Sequence, residues 1–154
     1  MKRSKHLEPL SHDHYEGLVV AGRLQKGLSK QASPDVMAAY VAHFWKTHLA
    51  HHFQQEETFL LPLLEESSAT MAERMVEEHG RIRELVARVE KEASAQRLTE
   101  LSRMMKAHIR FEEREVFPAL EAQMPEDVLQ EVGAQLQEGH AEEADLSWEP
   151  TFWA

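Results

Sequence analysis

Cysteine is absent from this chain of 154 residues, and its absence excludes several kinds of site. Without thiols there is no disulfide, no thiolate nucleophile, no Cys-ligated zinc and no iron–sulfur cluster. Positive charge is also scarce, because 17 Lys and Arg face 27 Asp and Glu and give a formal net charge of −10. Binding to nucleic acid or to anionic lipid needs clustered positive charge. Neither nucleic acid nor a membrane is therefore expected as a partner.

Long apolar segments are missing as well. The first residues are basic but lead into no apolar segment, so no signal peptide is expected. No apolar run approaches the roughly 20 residues of a membrane-spanning helix. From these two absences we expect a cytoplasmic protein. Six Gly, six Pro and few β-branched residues, in a chain rich in Leu, Ala, Glu and Gln, favour an all-α fold in a single domain over residues 1–154.

Apolar residues recur at helical spacing in four long segments. The predicted helices run from about residue 9 to 30, from 34 to about 65, from 67–68 through 89, and from 96–99 to about 122. Ser33 is a plausible N-cap for the second helix, with Pro34 at its first position. The short connections predict an up-down-up-down antiparallel four-helix bundle over about residues 7–122.

A C-terminal extension follows the bundle over residues 123–154. Pro125 is predicted to open a short fifth helix that continues through Leu136. The last stretch, from Leu146 to Ala154, is too aromatic for a solvated tail. We expect it to pack either on the bundle or on a second subunit, and the second alternative would make the protein a homodimer.

Ten histidines stand out in a chain of this length, and an internal repeat orders several of them. Residues 52–65, HFQQEETFLLPLLE, align without gaps to residues 108–121, HIRFEEREVFPALE. An acidic residue followed by a histidine precedes each copy in an upstream helix, as Asp13-His14 and as Glu78-His79. The chain therefore carries two copies of the pattern His … His-x-x-x-Glu.

This spacing is suited to a metal site inside a bundle. Residues at positions i and i+4 lie on one face of a helix, so each His-x-x-x-Glu pair aims an imidazole and a carboxylate at one point. The upstream histidines add one imidazole from each remaining helix. Two dications could each take two imidazoles and share both carboxylates, whose negative charge would offset the repulsion between the cations. The predicted metal ligands are His14, His52, Glu56, His79, His108 and Glu112, and no catalytic residue is predicted.

The register of the repeat separates these ligands from the other histidines. His12 aligns with Glu77 and His51 with Ala107, so neither belongs to the repeated set. His48 lies one turn from His52 and is an accessory candidate. His6 and His140 are expected to be solvated, although His140 could cover the site from the C-terminal segment. The acidic pairs, namely Glu65-Glu66, Glu77-Glu78 and Glu142-Glu143, are interpreted as solvated helix faces.

These motifs resemble those of hemerythrin-like proteins of the HHE cation-binding domain family, over about residues 7–122. The resemblance rests on Leu10-Ser11-His12-Asp13-His14, His52-x-x-x-Glu56-Glu57, Glu78-His79 and His108-x-x-x-Glu112-Glu113. It implies a four-helix bundle that holds a non-haem di-iron centre with an oxo or hydroxo bridge, for which zinc or manganese could substitute. Family members bind oxygen or nitric oxide, sense or store iron, or protect against oxidative and nitrosative stress.

The sequence also departs from the hemerythrin pattern. Hemerythrins proper have a further histidine four residues after the third-helix histidine, and here that position is Arg83. One iron would then lose a protein ligand or recruit another, and the arginine could hold an anion or close the pocket. Their last carboxylate is an Asp five residues after the final histidine, whereas here Glu112 stands at four and Glu113 at five. The departures favour the broader HHE group over a reversible oxygen carrier.

Three functions are consistent with these residues. The first is a di-iron protein that binds or senses O₂, NO, peroxide or iron itself. The second is a di-iron enzyme with peroxidase- or reductase-like activity. It is less favoured because ferritin-like oxidases use Glu-x-x-His, and no histidine here has Glu three residues before it. The third is a structural or interaction protein, in which metal is absent or serves only as a structural staple.

Overall fold

The structure is a computed structural model that describes residues 2–140 and 144–154. Over these residues it contains helices and no strand, so the predicted all-α class is confirmed. In chain order the elements are α1 (Glu8–Ser29), α2 (Pro34–Phe44), π1 (Trp45–Leu49), α3 (Ala50–Gln55), π2 (Glu56–Leu60), α4 (Leu61–Ser67), α5 (Ala69–Lys91), α6 (Ala95–Phe111), π3 (Glu112–Val116), α7 (Phe117–Gln123) and α8 (Glu126–Gly139).

Four long rods form the bundle. Bundle helix 1 is α1, bundle helix 2 runs from α2 to α4, bundle helix 3 is α5, and bundle helix 4 runs from α6 to α7. Serine caps open three of them. The Ser33 hydroxyl accepts a hydrogen bond from the backbone N–H of Val36. In the same way, Ser68 accepts one from Met71 and Ser94 accepts one from Arg97. Each cap satisfies one of the N–H groups that a helix leaves unpaired at its start.

The core is divided by a polar layer. One apolar cluster includes Val20, Phe53, Ile82 and Met105, and the other includes Leu10, Leu60, Met75 and Val116. Along the chain, bundle helices 1 and 3 run from the cluster of Leu10 to the cluster of Val20, and bundle helices 2 and 4 run in the opposite direction. The predicted metal ligands lie between the clusters on all four rods and are buried. Apolar packing on both sides therefore fixes the positions of these polar side chains.

The C-terminal extension packs on the same chain. Helix α8 contacts α1 and π2. The ring of Phe152 lies 5.3 Å from the ring of Tyr40, and the guanidinium of Arg23 lies 4.1 Å over Trp153. Gly27 faces this tail, because a Cβ atom there would lie 2.6 Å from Phe152. Of the two packing alternatives, the structure shows the one on the bundle, while a homodimer stays a prediction. Glu142-Glu143 lies outside the described residues.

None of the helices in the described part of the chain combines the length and the apolar character that crossing a membrane requires.

Candidate metal centre

The six predicted ligands meet in the middle of the bundle. Each is at most 4% exposed, and the Nε2 atom of every histidine points at the carboxylates of Glu56 and Glu112. The Nε2–O distances are 2.8 Å from His14 to Glu112, 3.2 Å from His52 to Glu56, 3.0 Å from His79 to Glu56 and 3.2 Å from His108 to Glu112. Longer approaches of 3.5 Å join His14 to Glu56, and of 3.6 Å join His79 to Glu112. All four imidazoles therefore surround one pair of carboxylates.

These donors form two overlapping sets of four. One set is His14, His52, Glu56 and Glu112, and the other is His79, His108, Glu56 and Glu112, so both carboxylates belong to both sets. Four buried atoms in them have no hydrogen-bond partner among the described residues: His52 Nε2, His108 Nε2, Glu56 Oε2 and Glu112 Oε2. Unpartnered buried polar atoms are costly, and two cations would satisfy all of them. The donor set thus fits a pair of divalent transition-metal ions.

An outer ring of carboxylates holds the imidazoles in place. Every Nδ1 atom lies within hydrogen-bond distance of a carboxylate oxygen that is not in the inner pair. The contacts are 2.6 Å from His14 to Glu113, 2.9 Å from His52 to Asp13, 2.6 Å from His79 to Glu57 and 2.8 Å from His108 to Glu78. A neutral imidazole that donates Nδ1–H to such a partner presents its Nε2 lone pair to a metal.

The outer ring follows the internal repeat. Asp13 and Glu78 precede the upstream histidines and hold His52 and His108, so the pairing crosses between helices in the same way twice. The expectation that Glu78 lies on a solvated face was wrong, because helix α5 turns its carboxylate toward His108 while the adjacent Glu77 stays exposed. The duplication of the acidic–His pair was the signal that could have identified Glu78.

Arginines close the ring on two sides. Both terminal nitrogens of Arg83 bond the Glu57 carboxylate at 2.9 Å, and Arg3 contacts Glu113 at 3.3 Å. Arg83 therefore stands outside the centre and restrains the residue that holds His79. The described residues supply no replacement for the histidine that hemerythrins proper have at this position, and the two donor sets are left with equal numbers of ligands.

Two π-helical turns begin at the inner carboxylates, π2 at Glu56 and π3 at Glu112. Such turns are rare and often occur at functional sites. A local cause is present in both copies of the repeat. Pro62 and Pro118 follow two residues after each turn ends, and the ring of a proline clashes with the carbonyl four residues earlier in an α-helix. That carbonyl lies inside the π turn in both copies, where the wider winding moves it away.

Burial and charge act in opposite directions on the metal-ligand candidates. Burial disfavours the protonated imidazoles, but the facing carboxylates outweigh it and raise the pKa of His52 to about 9 and that of His79 to about 10. Burial and the charge of Glu112 favour a protonated Glu56, but His52 and His14 outweigh them and lower its pKa to about 2. In the metal-free protein, protons on the imidazoles therefore balance the negative charge of the carboxylates. A metal ion must displace these protons in order to bind.

Four of the six remaining histidines fall into two groups. His51 Nε2 lies 2.7 Å from the carbonyl oxygen of Gly139, and His6 Nε2 lies 2.9 Å from Glu126, so neither reaches the centre. His48 is 3% exposed and approaches Asp13, and His140 Nε2 lies 3.0 Å from the same carboxylate. The expectation that His6 and His140 are solvated was wrong, because their side chains are only 13% and 19% exposed. The alternative that His140 lies against the site is what the structure shows.

A Glu78→Gln variant tests the outer ring. We expect its affinity for the metal to fall roughly 10–100-fold, because such partners orient a ligating imidazole and raise its basicity. The matched control is Glu77→Gln, which makes the same change at the exposed neighbour and should leave the affinity unchanged. The measurement is a competition titration of Zn²⁺ against a chromophoric chelator. Equal affinities for the two variants would contradict a role for Glu78.

Comparison with known proteins agrees with this geometry. The family described as the hemerythrin HHE cation binding domain matches residues 7–120. No curated protein matches the chain, and no solved structure matches it. The matched range contains all four bundle helices except the last residues of α7, and it contains every one of the six converging side chains. On this match and its extent, the chain belongs to the hemerythrin HHE cation-binding domain family.

Proposed function

We propose that this protein holds a pair of non-haem iron ions and binds a small ligand such as O₂, NO or peroxide at them. The donor count supports iron. Each cation would receive two imidazole nitrogens and one oxygen from each shared carboxylate, which makes four protein donors. Four donors saturate a tetrahedral zinc site, whereas non-haem ferrous sites of imidazole and carboxylate keep open positions for a ligand.

The observation that carries the proposal is a small apolar cavity against the imidazoles. His14, His52 and His108 form part of its wall, and the rest is mainly apolar, with Leu49, Phe53, Ile82, Met105 and Ile109. Its volume is about 10 Å³, which is roughly the space that one water molecule needs. O₂, NO and peroxide are among the smallest molecules that could approach such a space, and a larger organic substrate is excluded.

The chain's own residues would hold and protect such a ligand. The imidazoles and inner carboxylates hold the ions, and the outer carboxylates fix the imidazole rings. The apolar side of the cavity keeps bulk water from the imidazoles. Bound iron would supply the open coordination positions and the electrons that O₂ or NO binding requires.

Anaerobic titration with NO tests the proposal. Ferrous-loaded protein should show a new visible absorption band that saturates at a fixed ratio of NO to iron, and zinc-loaded protein should show none. Absence of any spectral change in protein that contains iron would overturn the proposal. A further experiment adds H₂O₂ to the iron-loaded protein. Sustained consumption of H₂O₂ far beyond the amount of iron would favour a peroxidase-like enzyme instead.

A pair of glycine variants tests the cavity. A Cβ atom at Gly17, which lines the cavity, would lie 3.0 Å from Ile109 Cδ1, whereas a Cβ at Gly22 in the same helix meets nothing within 4 Å. We expect Gly17→Ala to keep its iron and to bind NO more slowly by stopped-flow absorption. Gly22→Ala should bind NO at the wild-type rate. Equal rates in the two variants would show that the ligand takes another path.

A further inference from the structure

A second cluster of potential ligands lies beside the dinuclear centre and takes no part in it. Asp13 and Glu16 stand one turn apart on α1, and His48 reaches them from π1. Their exposures are 5%, 4% and 3%. Asp13 uses Oδ2 to hold His52, which leaves Oδ1 directed at this cluster. Two carboxylates and an imidazole are thus buried together.

The distances from His48 to the two carboxylates are long for hydrogen bonds and match those between ligands of a shared cation. His48 Nε2 lies 3.3 Å from Asp13 Oδ1 and 3.7 Å from Glu16 Oε1, beyond the usual N–H···O range of roughly 2.7–3.2 Å. Ligands about 2.0–2.2 Å from a tetrahedral ion stand roughly 3.3–3.6 Å from one another. His48 Nε2 and Glu16 Oε1 also have no hydrogen-bond partner among the described residues. The inner donors of the dinuclear centre show the same combination of burial and unpartnered atoms.

The internal repeat shows that the dinuclear centre does not need these residues. The second copy carries Glu78 at the position of Asp13, but Arg81 at that of Glu16 and Met104 at that of His48. His108 is nevertheless held there by Glu78 as His52 is held by Asp13. Glu16 and His48 are therefore additions to the first copy, and they require an explanation of their own.

The π turn that carries His48 belongs to the first copy as well. Turns π2 and π3 occupy equivalent positions of the repeat, whereas the segment equivalent to π1, residues 101–105, lies within regular α6. A π turn interrupts regular winding and often occurs at a functional site. Here it lies where an imidazole reaches two buried carboxylates.

The C-terminal segment completes the cluster. His140 Nε2 lies 3.0 Å from Asp13 Oδ1, and the backbone N–H of Ala144 donates to Glu16 Oε2 at 2.7 Å. This second contact orients the Glu16 carboxylate and leaves Oε1 for the cluster. The cationic groups that the described residues place within 4 Å of the two carboxylates are imidazoles rather than lysine or arginine.

We propose that Asp13, Glu16 and His48 form a third cation site for a divalent transition-metal ion, with His140 holding the Asp13 carboxylate in place. Two carboxylates and an imidazole are a donor set that zinc, manganese and ferrous iron accept. The ion balances two buried negative charges and satisfies the two unpartnered atoms. The site does not depend on the function proposed for the dinuclear centre, and it touches that centre only through Asp13.

Counting bound Zn²⁺ tests the third site. Protein stripped with a chelator is dialysed against excess Zn²⁺, desalted and analysed for metal per chain. Wild type should bind three ions, and Glu16→Gln and His48→Gln should each bind two. His51→Gln, a change at a neighbouring histidine that lies outside the cluster, should bind three. Equal zinc content in wild type and in both cluster variants would overturn the proposal.

A second set of variants, made in a protein that already carries Glu112→Ala, tests the third site even if a single cluster variant fails to fold. Glu112→Ala removes a ligand of both dinuclear positions and leaves the cluster intact, so it should retain one Zn²⁺ per chain. Loaded with Co²⁺ instead, it should show the visible bands of a single tetrahedral ion. The double variant Glu16→Gln/Glu112→Ala should lose both the ion and the bands. A Glu112→Ala protein that folds by circular dichroism and binds no Zn²⁺ would overturn the third site while leaving the dinuclear centre untouched.

Discussion

After anaerobic loading with ferrous iron, a Glu112→Ala variant should contain two fewer metal ions per chain than the wild type. Glu112 belongs to both donor sets and approaches His14, His79 and His108. Its removal takes one ligand from each cation and leaves a single carboxylate between two dications, which is too little negative charge to offset their repulsion, so we expect the pair to be lost. The measurement is elemental analysis of iron, zinc and manganese per chain.

Two further variants make this result specific. Glu112→Gln keeps the volume of the side chain but loses its charge, and it should lose the same two ions. His51→Ala removes a histidine next to His52 in sequence whose ring bonds the carbonyl of Gly139, and it should keep all of its metal. A normal metal content in folded Glu112→Ala protein would show that this carboxylate does not bridge the ions.

Metal-free protein should lose stability as the pH rises from about 6.5 to about 10. His52 and His79 have raised pKa values in the folded protein, about 9 and about 10, against 6.5 for a free imidazole. Their contribution is therefore complete below pH 6.5 and is lost as the pH passes through the folded values. Each pKa unit corresponds to about 1.4 kcal/mol, so the expected loss is several kcal/mol, a large share of the stability of an ordinary domain.

Metal should reverse this dependence. A cation displaces the imidazole protons, so binding strengthens as the pH rises and adds most stability where the metal-free protein is weakest. Urea unfolding at several pH values, with chelator or with Zn²⁺, measures both trends. A free energy of unfolding in chelator that stays constant between pH 6.5 and pH 10 would contradict the charge balance described for the centre.

The inner donors could be identified from the sequence because two separate regularities select them. The interval of four residues puts His52 and Glu56 on one helix face, and the gap-free repeat reproduces that pair as His108 and Glu112. The structure brings these residues together with His14 and His79. Their role as metal ligands stays a prediction that the metal analysis tests.

The surroundings of the centre were harder to predict because they depend on contacts between helices. Glu77 and Glu78 are adjacent and identical in type, and only the rotation of α5 turns Glu78 toward His108. The three π turns shift the helix register without any change in hydrophobic pattern, so periodicity does not reveal them. His140 reaches Asp13 across a sequence separation of 127 residues, which no local motif indicates.

The fold itself followed from short-range signals. Ser33 and Pro34 marked the start of bundle helix 2, and the structure places the start of α2 at Pro34. The aromatic tail was recognised as a packed segment from its composition, but its partner could not be chosen. The surface that receives it combines Arg23, Gly27 and Tyr40 from two helices and exists only after the bundle has formed.

The duplicated ligand set has a consequence for spectroscopy. Each of the two proposed positions would take two imidazoles and the same two shared carboxylates, so the protein donors would make the positions chemically equivalent. Two iron nuclei in equivalent surroundings give one quadrupole doublet in a Mössbauer spectrum. A second doublet would therefore show that the two irons differ in something that the repeat does not duplicate. One such difference is an external ligand on one iron. The other is a charge near Asp13, which would affect only the iron that His52 binds.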